Sequence, residues 1–373
     1  MTAGRWHEQA WRQVCSKVER ARARVGTTFP EASHGGRFTE VSRTHWVAGF
    51  WPGLLWQVYN DTGNEDMKRT AIACEAKLSE ALRFDIEKLH HDVGFMYLLS
   101  SVAQYERTGD DEARKRGLIA ASILASRFNP AGNFLRAWPD WDGEDHAGWA
   151  IIDCMMNLSL LYWASDQEGD PRYRHIANRH ADTVLTAFFQ PDDTVNHIVV
   201  FDPETGTRLR SLAGQGFAPD SAWSRGLSWA VYGFANCYRH TGYARYLDAA
   251  ERAGEAFLRL LPEDGIPYWD FKLPTLEGMP RDTSAAACAA SGMLELAEVA
   301  SPEKRETFRA GAETLLRNLY EKCADGESDE EGLLLHATGF YAKGMHVDVP
   351  LVYGDYYYAE ALAKLNGTAL RLW

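Results

Sequence analysis

Two kinds of helical segment alternate along the chain. One kind is apolar on most sides, as in GWAIIDCMMNLSLLYWA (148–164) and SWAVYGFANCY (228–238). The other carries one apolar stripe with a 3.6-residue period, as in RYLDAAERAGEAFLRLL (245–261). A helix that is apolar all round is buried, whereas a helix with a single apolar stripe lies at the surface. The pattern therefore predicts inner helices surrounded by outer ones.

The junction between the two kinds of helix is itself repeated. An aromatic-rich helix ends at a glycine and a charged helix follows directly, at Gly63, Gly109, Gly169 and Gly242. Glycine suits the end of a helix because φ is often positive there, and Asp110 suits the N-cap that follows. With about twelve helices in pairs at intervals of roughly 45–75 residues, the repeat predicts an all-α fold. The specific prediction is an (α/α)6 barrel of six helical hairpins forming one domain over residues 1–373.

Strand signals are few. HIVVFDPETGTRLR (197–210) has Asp-Pro-x-x-Gly between two short extended runs and predicts a minor β-hairpin. It falls in the long loop between an outer helix and the next inner helix. Such loops collect at one end of a helical ring, and long loops on a rigid scaffold often carry function.

Charge and composition exclude several classes of protein. Lys and Arg total 39 against 52 Asp and Glu, a net charge of −13, which argues against nucleic-acid binding but leaves room for an acidic ligand in a local pocket. No run reaches the roughly 18 apolar residues of a membrane helix, and the N-terminus lacks a signal core. The six cysteines form no CxxC pair. We therefore expect a cytoplasmic protein with reduced thiols, no membrane contact, and a monomeric or homodimeric state.

Familiar cofactor and nucleophile motifs are absent from the sequence. There is no GxGxxG before a helix, no GxxxxGK[ST] and no HExxH, and the stretch from Gly226 lacks the final glycine of a nucleophile elbow. We therefore expect no cofactor. His90-His91-Asp92 could suggest metal ligation, but adjacent residues at a helix start are expected to point apart, so we predict no metal.

Two aspartates stand near the starts of predicted inner helices. Asp153 lies in AIIDCMMNLSLLYW with no other charge nearby, and Asp92 lies in LHHDVGF. A lone acid in an apolar helix is unfavourable unless it is paired, protonated or functional. The alternative for Asp153 is a buried structural acid, and the alternative for Asp92 is an ordinary N-cap.

A second cluster lies in GQGFAPDSAWSRGLSW (214–229). Arg225 and Trp229 are four residues apart and share a helix face. A planar cation beside an aromatic plate suits a uronate, with Arg on the carboxylate and Trp on the ring. The alternative is a cation–π packing pair.

The order of motifs along the chain resembles that of the unsaturated glucuronyl hydrolases of glycoside hydrolase family 88. Each motif is weak alone, but the ordered set is specific and covers nearly the whole chain. The motifs are HWVAGFWPGLLW, LHHDVGF, GWAIIDCMMNLSLLYWA, HIVVFDPETG, GQGFAPDSAWSRGLSWAVYGF, YWDF, RDTSAAACAASGMLEL and GDYYYAEAL.

The resemblance implies an (α/α)6 barrel that removes a 4,5-unsaturated uronic acid from small oligosaccharides by hydrating its C4=C5 vinyl ether. By position, Asp153 is expected to donate the proton and activate water, with Asp92 as its carboxylate partner. His197, Gln215 and Arg225 are expected to bind the uronate, and Trp138 and Trp229 to stack. The full set of expected substrate contacts is His91, Trp46, Trp138, His197, Gln215, Arg225 and Trp229.

Three alternatives remain open on the sequence alone. An unsaturated rhamnogalacturonyl hydrolase would share the fold and chemistry but act on pectin fragments. A non-catalytic glycan-binding barrel would need no acid at Asp153, and an epimerase on a similar ring would favour a pair of catalytic histidines. In relatives that cleave sulfated fragments, the C-terminal region carries small hydroxyl residues and a Lys near the sugar beyond the cleaved bond. Here Thr338 and Lys343 are present with Tyr341 between them, so the sequence leaves the preference for that sugar and its sulfate open.

Overall fold

The computed structural model describes residues 6–140, 143–326 and 328–373. Within these ranges the chain forms thirteen α-helical segments, and a π-helical turn (Leu98–Val102) joins two of them into one helix. The segments are α1 (Trp6–Val25), α2 (Phe50–Thr62), α3 (Glu65–Phe84), α4 (Val93–Tyr97), α5 (Ala103–Thr108), α6 (Asp111–Ser126), α7 (Cys154–Glu168), α8 (Arg172–Ala187), α9 (Ser224–Thr241), α10 (Ala244–Leu260), α11 (Thr283–Val299), α12 (Pro302–Lys322) and α13 (Val352–Asn366).

The inner helices close into a ring. α2 packs on the π-helical turn, α4 on α7, α7 on α9, α9 on α11, α11 on α13, and α13 returns to α2. The outer layer consists of α1, α3, α6, α8, α10 and α12, whose buried residues recur on one face. The inner helices, by contrast, are buried on nearly every side, as the apolar runs predicted. The predicted (α/α)6 barrel is confirmed.

One end of the barrel carries the short connections. Gly63, Gly109, Gly169 and Gly242 end inner helices with φ between 64° and 70°, as predicted. Asp110 caps the next outer helix by accepting the Glu112 N–H at 3.0 Å. Because inner helices end here, they all begin at the opposite end of the barrel, where the long loops lie.

Within the described ranges, the long loops contain nine short strands in four small sheets. The predicted hairpin is present as β6 and β7, but the sequence missed a third strand, β5, which pairs with β6. The strands are β1 (Pro30–His34), β2 (Arg37–Glu40), β3 (Phe128–Asn129), β4 (Phe134–Leu135), β5 (Trp149–Ile151), β6 (Ile198–Phe201), β7 (Arg208–Leu212), β8 (Ala337–Phe340) and β9 (Met345–Val349).

All six cysteines are free. A search of the described helices finds none with the length and apolar character needed to cross a bilayer.

Candidate functional site

Asp153 lies at the start of an inner helix and not within it, because α7 begins at Cys154. The prediction of one continuous helix over 148–164 was wrong here, since β5 pairs with β6 in register Ile151 to Ile198. The Ile152 N–H donates to the His197 carbonyl at 3.0 Å. This register places Asp153 beside His197, with Oδ2 of the acid 3.5 Å from Nε2 of the imidazole.

The tautomer of His197 follows from its other nitrogen. Nδ1 accepts the main-chain N–H of Gln215 at 2.8 Å, so in the neutral ring the proton is on Nε2 and faces Asp153. The Asp153 side chain keeps 15% of its surface exposed. The side chain is therefore partly accessible.

Asp92 occupies the position before α4, but its side chain does not cap the helix. Its carboxylate instead accepts the Asn157 amide at 3.1 Å and lies 3.3 Å from Nε2 of His91 and 3.4 Å from Nδ1 of His90. Burial opposes ionisation, but the histidines and the amide outweigh it and hold the pKa of Asp92 below its usual range. The N-cap alternative is therefore wrong, and Asp92 is a buried, ionised carboxylate.

His91 is buried, and burial lowers its pKa to about 4, so the ring is neutral near pH 7. The expectation that His90, His91 and Asp92 point apart was wrong. The side-chain atoms with which these residues could bind a metal lie within 4.8 Å of one another. The described part of the chain contains no other group of three His, Cys, Asp or Glu residues placed in this way. Both imidazoles face the same carboxylate oxygen, Oδ2, at 3.4 and 3.3 Å.

Arg225 is buried and its terminal nitrogens are already engaged. They donate to Asp282, to the Ser284 hydroxyl, to Oε1 of Gln215 at 2.8 Å, and to two carbonyls of the 338–339 segment. The cation lies over the rings of Trp223 and Tyr353, at 4.6 and 5.1 Å from the centroids. The aromatic partners of Arg225 are therefore Trp223 and Tyr353, and not Trp229 as the sequence predicted. Arg225 holds Gln215 directly.

A cavity of about 440 Å³ opens beside His197 and Gln215. Trp138 lines it, with its ring centroid 6.4 Å from that of His91. Trp149, His146, Phe340 and Lys343 line the same cavity. Apolar walls with a few converging polar groups are typical of a small-ligand site.

Trp46 and Trp229 both contact Phe95, at ring centroid distances of 5.5 and 5.3 Å. Trp46 is half-buried, whereas Trp229 has 0% of its surface exposed and also packs on Tyr357. In this structure Trp229 therefore presents no open face on which a sugar could stack. Its predicted stacking role gains no support from the packing.

Seven of the nine predicted residues form one chain of contacts. It runs from Trp138 through His91 to Asp92, then through the Asn157 side chain to Asp153, and on to His197, Gln215 and Arg225. An accessible carboxylate beside an N–H donor, with an ionised carboxylate behind it, is equipped for general acid–base chemistry.

Sequence reasoning missed three buried side chains that organise this chain of contacts. Asn157 joins the two acids, Asp282 pairs with Arg225, and Tyr353 covers the guanidinium. Asn157 stands one helical turn after Asp153 in an otherwise apolar helix, which was a visible signal. Asp282 stands in the RDTSAAACAASGMLEL motif, but only its partner, Arg225, was predicted to belong to the site.

Comparison with known proteins identifies relatives over almost the whole length. The chain is 38% identical over 358 residues to the unsaturated glucuronyl hydrolase of Bacillus sp. (strain GL1), covering 94% of each chain. It is 36% identical over 346 residues to the unsaturated chondroitin disaccharide hydrolase of Streptococcus agalactiae, covering 91% of this chain and 86% of the relative.

Solved structures agree with the sequence relatives. The crystal structure of the Bacillus sp. GL1 glucuronyl hydrolase superposes with a TM-score of 0.92 at 36% identity, covering 96% of both chains. An aspartate-to-asparagine variant of the Streptococcus agalactiae glucuronyl hydrolase, in complex with dGlcA-GalNAc6S, superposes with a TM-score of 0.85 at 30% identity, covering 98% of this chain and 93% of that one. The model of glycosyl hydrolase family 88 matches residues 17–370, and the chain belongs to this family of glycoside hydrolases.

Proposed function

We propose that this enzyme removes a 4,5-unsaturated uronic acid from the non-reducing end of lyase-generated oligosaccharides. The observation that carries the proposal is the pairing of partly exposed Asp153 with His197, which lines the cavity, while the neighbouring Asp92 is held ionised. The names of the relatives and the dGlcA-GalNAc6S ligand of the Streptococcus agalactiae variant support this substrate class.

The reaction is the addition of water across a vinyl ether. Protonated Asp153 gives its proton to C4, and the electron pair of the C4=C5 bond forms the new C–H bond. Water then attacks C5 and returns a proton to Asp153, which leaves the acid ready for another cycle. The resulting C5 hemiketal opens by breaking its bond to the ring oxygen, which leaves a ketone at C5 and a hemiacetal at C1. The hemiacetal then collapses to an aldehyde, and the aglycone leaves with its glycosidic oxygen and the hemiacetal proton. Direct displacement at C1 is not involved, so the carboxylate spacing of ordinary glycosidases does not apply.

The ionised partner explains which acid carries the proton. Two carboxylates that share a site do not both ionise readily, because their charges repel. Asp92 is held ionised by its neighbours His91 and His90 and by the Asn157 amide. We therefore assign the role of proton donor to Asp153, whose side chain keeps 15% of its surface exposed.

The remaining predicted residues either line the cavity or support the residues that do. His197 and Gln215 line the cavity and suit the uronate, and Trp138 offers an aromatic wall for the sugar rings. Arg225 acts on the uronate through Gln215, whose carbonyl it holds at 2.8 Å. Trp46 and Trp229 support the site through Phe95.

The test follows the absorbance of the conjugated double bond over a panel of lyase products. Asp153→Asn should abolish the loss of this absorbance, while the helical circular dichroism stays unchanged. Asp166→Asn is the matched control, because Asp166 is exposed on the same helix. In D₂O the product should carry deuterium at C4, and turnover by Asp153→Asn or absence of that label would refute the proposal.

A substrate derived from pectin would differ from one derived from a glycosaminoglycan only beyond the scissile bond. Glucuronate and galacturonate differ in configuration only at C4. Elimination across C4 and C5 erases this stereocentre, so both lyase routes yield the same unsaturated ring. Discrimination must lie in the aglycone, where Trp149, Phe340 and Lys343 line the cavity. Glycosaminoglycan-type disaccharides should be cleaved faster than rhamnose-linked ones. The cytoplasmic location and the monomeric or homodimeric state stay predictions.

A further inference from the structure

The Asn157 side chain links Asp92 and Asp153. It lies on α7, one turn after Asp153, and is 0% exposed. Its Nδ2 donates to Oδ1 of Asp92 at 3.1 Å and to the main-chain carbonyl of Asp153 at 3.2 Å. Its Oδ1 accepts the main-chain N–H of Phe95, in the first turn of α4, at 2.8 Å.

The start of α4 is shaped to receive this amide. A Cβ atom on Gly94 would lie 2.5 Å from Oδ1 and 2.6 Å from Cα of Asn157, closer than atoms approach in proteins. Only glycine therefore lets α4 dock directly on α7 at this point. The close approach and the three hydrogen bonds fix the separation and orientation of two inner helices that each begin at a carboxylate.

We propose that Asn157 is a positioning residue that fixes Asp92 relative to Asp153 and thereby decides which of the two acids carries the catalytic proton. This inference rests on the proposed function, because it concerns the same reaction. Asn157 does not line the cavity and is a neutral donor, so its effect is on Asp92 and not on the substrate.

Removing the amide would leave Oδ1 of Asp92 buried without its donor. A buried carboxylate oxygen that loses a hydrogen bond favours the protonated form. The Asn157 amide is one of the groups that lower the pKa of Asp92 against the effect of burial. The titratable or charged groups that act on Asp92 from its own loop and from packed elements are His45, His90, His91, Arg127, Asp153 and Cys154.

The first variant is Asn157→Ala, with Asn236→Ala as matched control. Asn236 is also a buried asparagine of an inner helix, α9, and its side chain makes no hydrogen bond to the described residues. Asn157→Ala should lower kcat by at least about 30-fold with KM changed less than about threefold, because an interaction with the acid pair is lost. The acid limb of kcat/KM should move to higher pH by about one unit. The control should keep the profile of the parent enzyme.

The second variant, Asn157→Asp, keeps the packing volume and the acceptor for Phe95. It replaces the donor to Asp92 by a carboxylate oxygen, so its acid limb should move up further than that of Asn157→Ala. An unmoved pH profile in both variants, or a change confined to KM, would overturn the inference.

An activity-independent readout separates this inference from the proposed function. Carbon-13 carboxyl resonances of labelled aspartate, assigned with Asp92→Asn, report the titration of Asp92 directly. Its midpoint should rise in both Asn157 variants and not in Asn236→Ala. A raised midpoint in a protein that turns over no unsaturated disaccharide would refute the proposed function and keep the positioning role. Turnover by the parent enzyme, together with an unmoved Asp92 midpoint in the Asn157 variants, would keep the proposed function and refute the positioning role.

Discussion

Nε2 of His197 lies 3.5 Å from Oδ2 of Asp153, at the point where strand β6 enters the barrel mouth and helix α7 begins. The two residues are brought together by the register of β5 on β6, in which Ile151 pairs with Ile198. The imidazole is orientated from its other side by the Gln215 main-chain N–H at 2.8 Å. The position of the imidazole beside the Asp153 carboxylate is thus set by backbone geometry.

This geometry predicts unequal effects for two substitutions of His197. His197→Gln can place an amide N–H near the position of Nε2 and should keep part of the activity. His197→Ala leaves Asp153 without that donor and should lower kcat/KM by about 10²–10³-fold, the usual range for a group that acts on a proton-transfer residue. Steady-state kinetics on an unsaturated disaccharide checks this. Equal losses in both variants would show that the N–H donor is not what matters.

Gly214 predicts a backbone-controlled loss of the same contact. Its φ is 56°, and a Cβ atom there would lie 2.0 Å from Nδ1 of His197. Gly214→Ala should therefore push the imidazole off Asp153 and lower kcat/KM by about 10–100-fold, since small misplacements near the chemistry are expensive. Kinetics and circular dichroism on the purified variant measure the effect.

The control for Gly214 is Gly169→Ala. Gly169 has a φ of 64°, but its added Cβ would meet nothing within 4 Å. This variant should lose about 1 kcal/mol of stability from backbone strain and keep full kcat/KM. Comparable activity losses in both variants would mean that strain, and not displacement of His197, limits the enzyme.

The barrel was predictable because its signal is local. Apolar runs and striped helices alternate along the chain, and glycines such as Gly109 and Gly169 mark each turn with a positive φ. Strand β5 was not predictable, because it is three residues long and pairs with β6 almost fifty residues later. Its Trp-Ala-Ile sequence fits a helix or a strand equally well, and only the distant partner decides.

The candidate site was predictable in part for the same reason. Asp153 and Asp92 stand out as acids at the borders of apolar segments. The roles of Asn157 and Asp282 depend on neighbours that arrive from elsewhere in the chain. Asn157 meets the Phe95 N–H from 62 positions away, and Arg225 meets the Thr338 carbonyl from 113 positions away. Such contacts leave no periodic pattern in the sequence.

The Arg225–Asp282 pair predicts coupled losses of stability and activity. Both side chains are nearly inaccessible, and Asp282 also accepts the N–H and hydroxyl of Ser284. Arg225→Met leaves this carboxylate buried without its cation, which should lower the free energy of unfolding by about 3–5 kcal/mol. Gln215 loses its anchor at the same time, so KM for the uronate should rise. Urea unfolding and steady-state kinetics measure the two effects.

A double variant tests whether the pair acts as a unit. Arg225→Met combined with Asp282→Asn removes both charges and should be more stable than Arg225→Met alone, because no unpaired charge is left buried. It should still bind the substrate weakly, since Gln215 remains without its donor. Additive losses of stability would show that the two side chains are not coupled.

His180 predicts a specific sensitivity of the fold to acid. It is buried on α8, where Nδ1 accepts the Leu135 N–H at 3.0 Å, and burial lowers its pKa to about 3. An unfolded chain has a histidine pKa of about 6.5, so between these values the unfolded state binds one more proton than the folded state. Stability is therefore complete above pH ~6.5 and falls by about 1.4 kcal/mol per pH unit as the pH drops toward 3.

His180→Asn isolates this contribution, because asparagine keeps an acceptor for the Leu135 N–H but has no proton to gain. Its free energy of unfolding is expected to be lower at pH 7 from lost packing, yet to decline less steeply between pH 6.5 and 4. The slopes should differ by the equivalent of one proton, about 1.4 kcal/mol per unit. His175→Asn is the control, since His175 is exposed on the same helix and has nearly the same surroundings folded or unfolded. Urea titrations at several pH values give the slopes, and parallel slopes for His180→Asn and the parent enzyme would show that His180 does not couple folding to protonation.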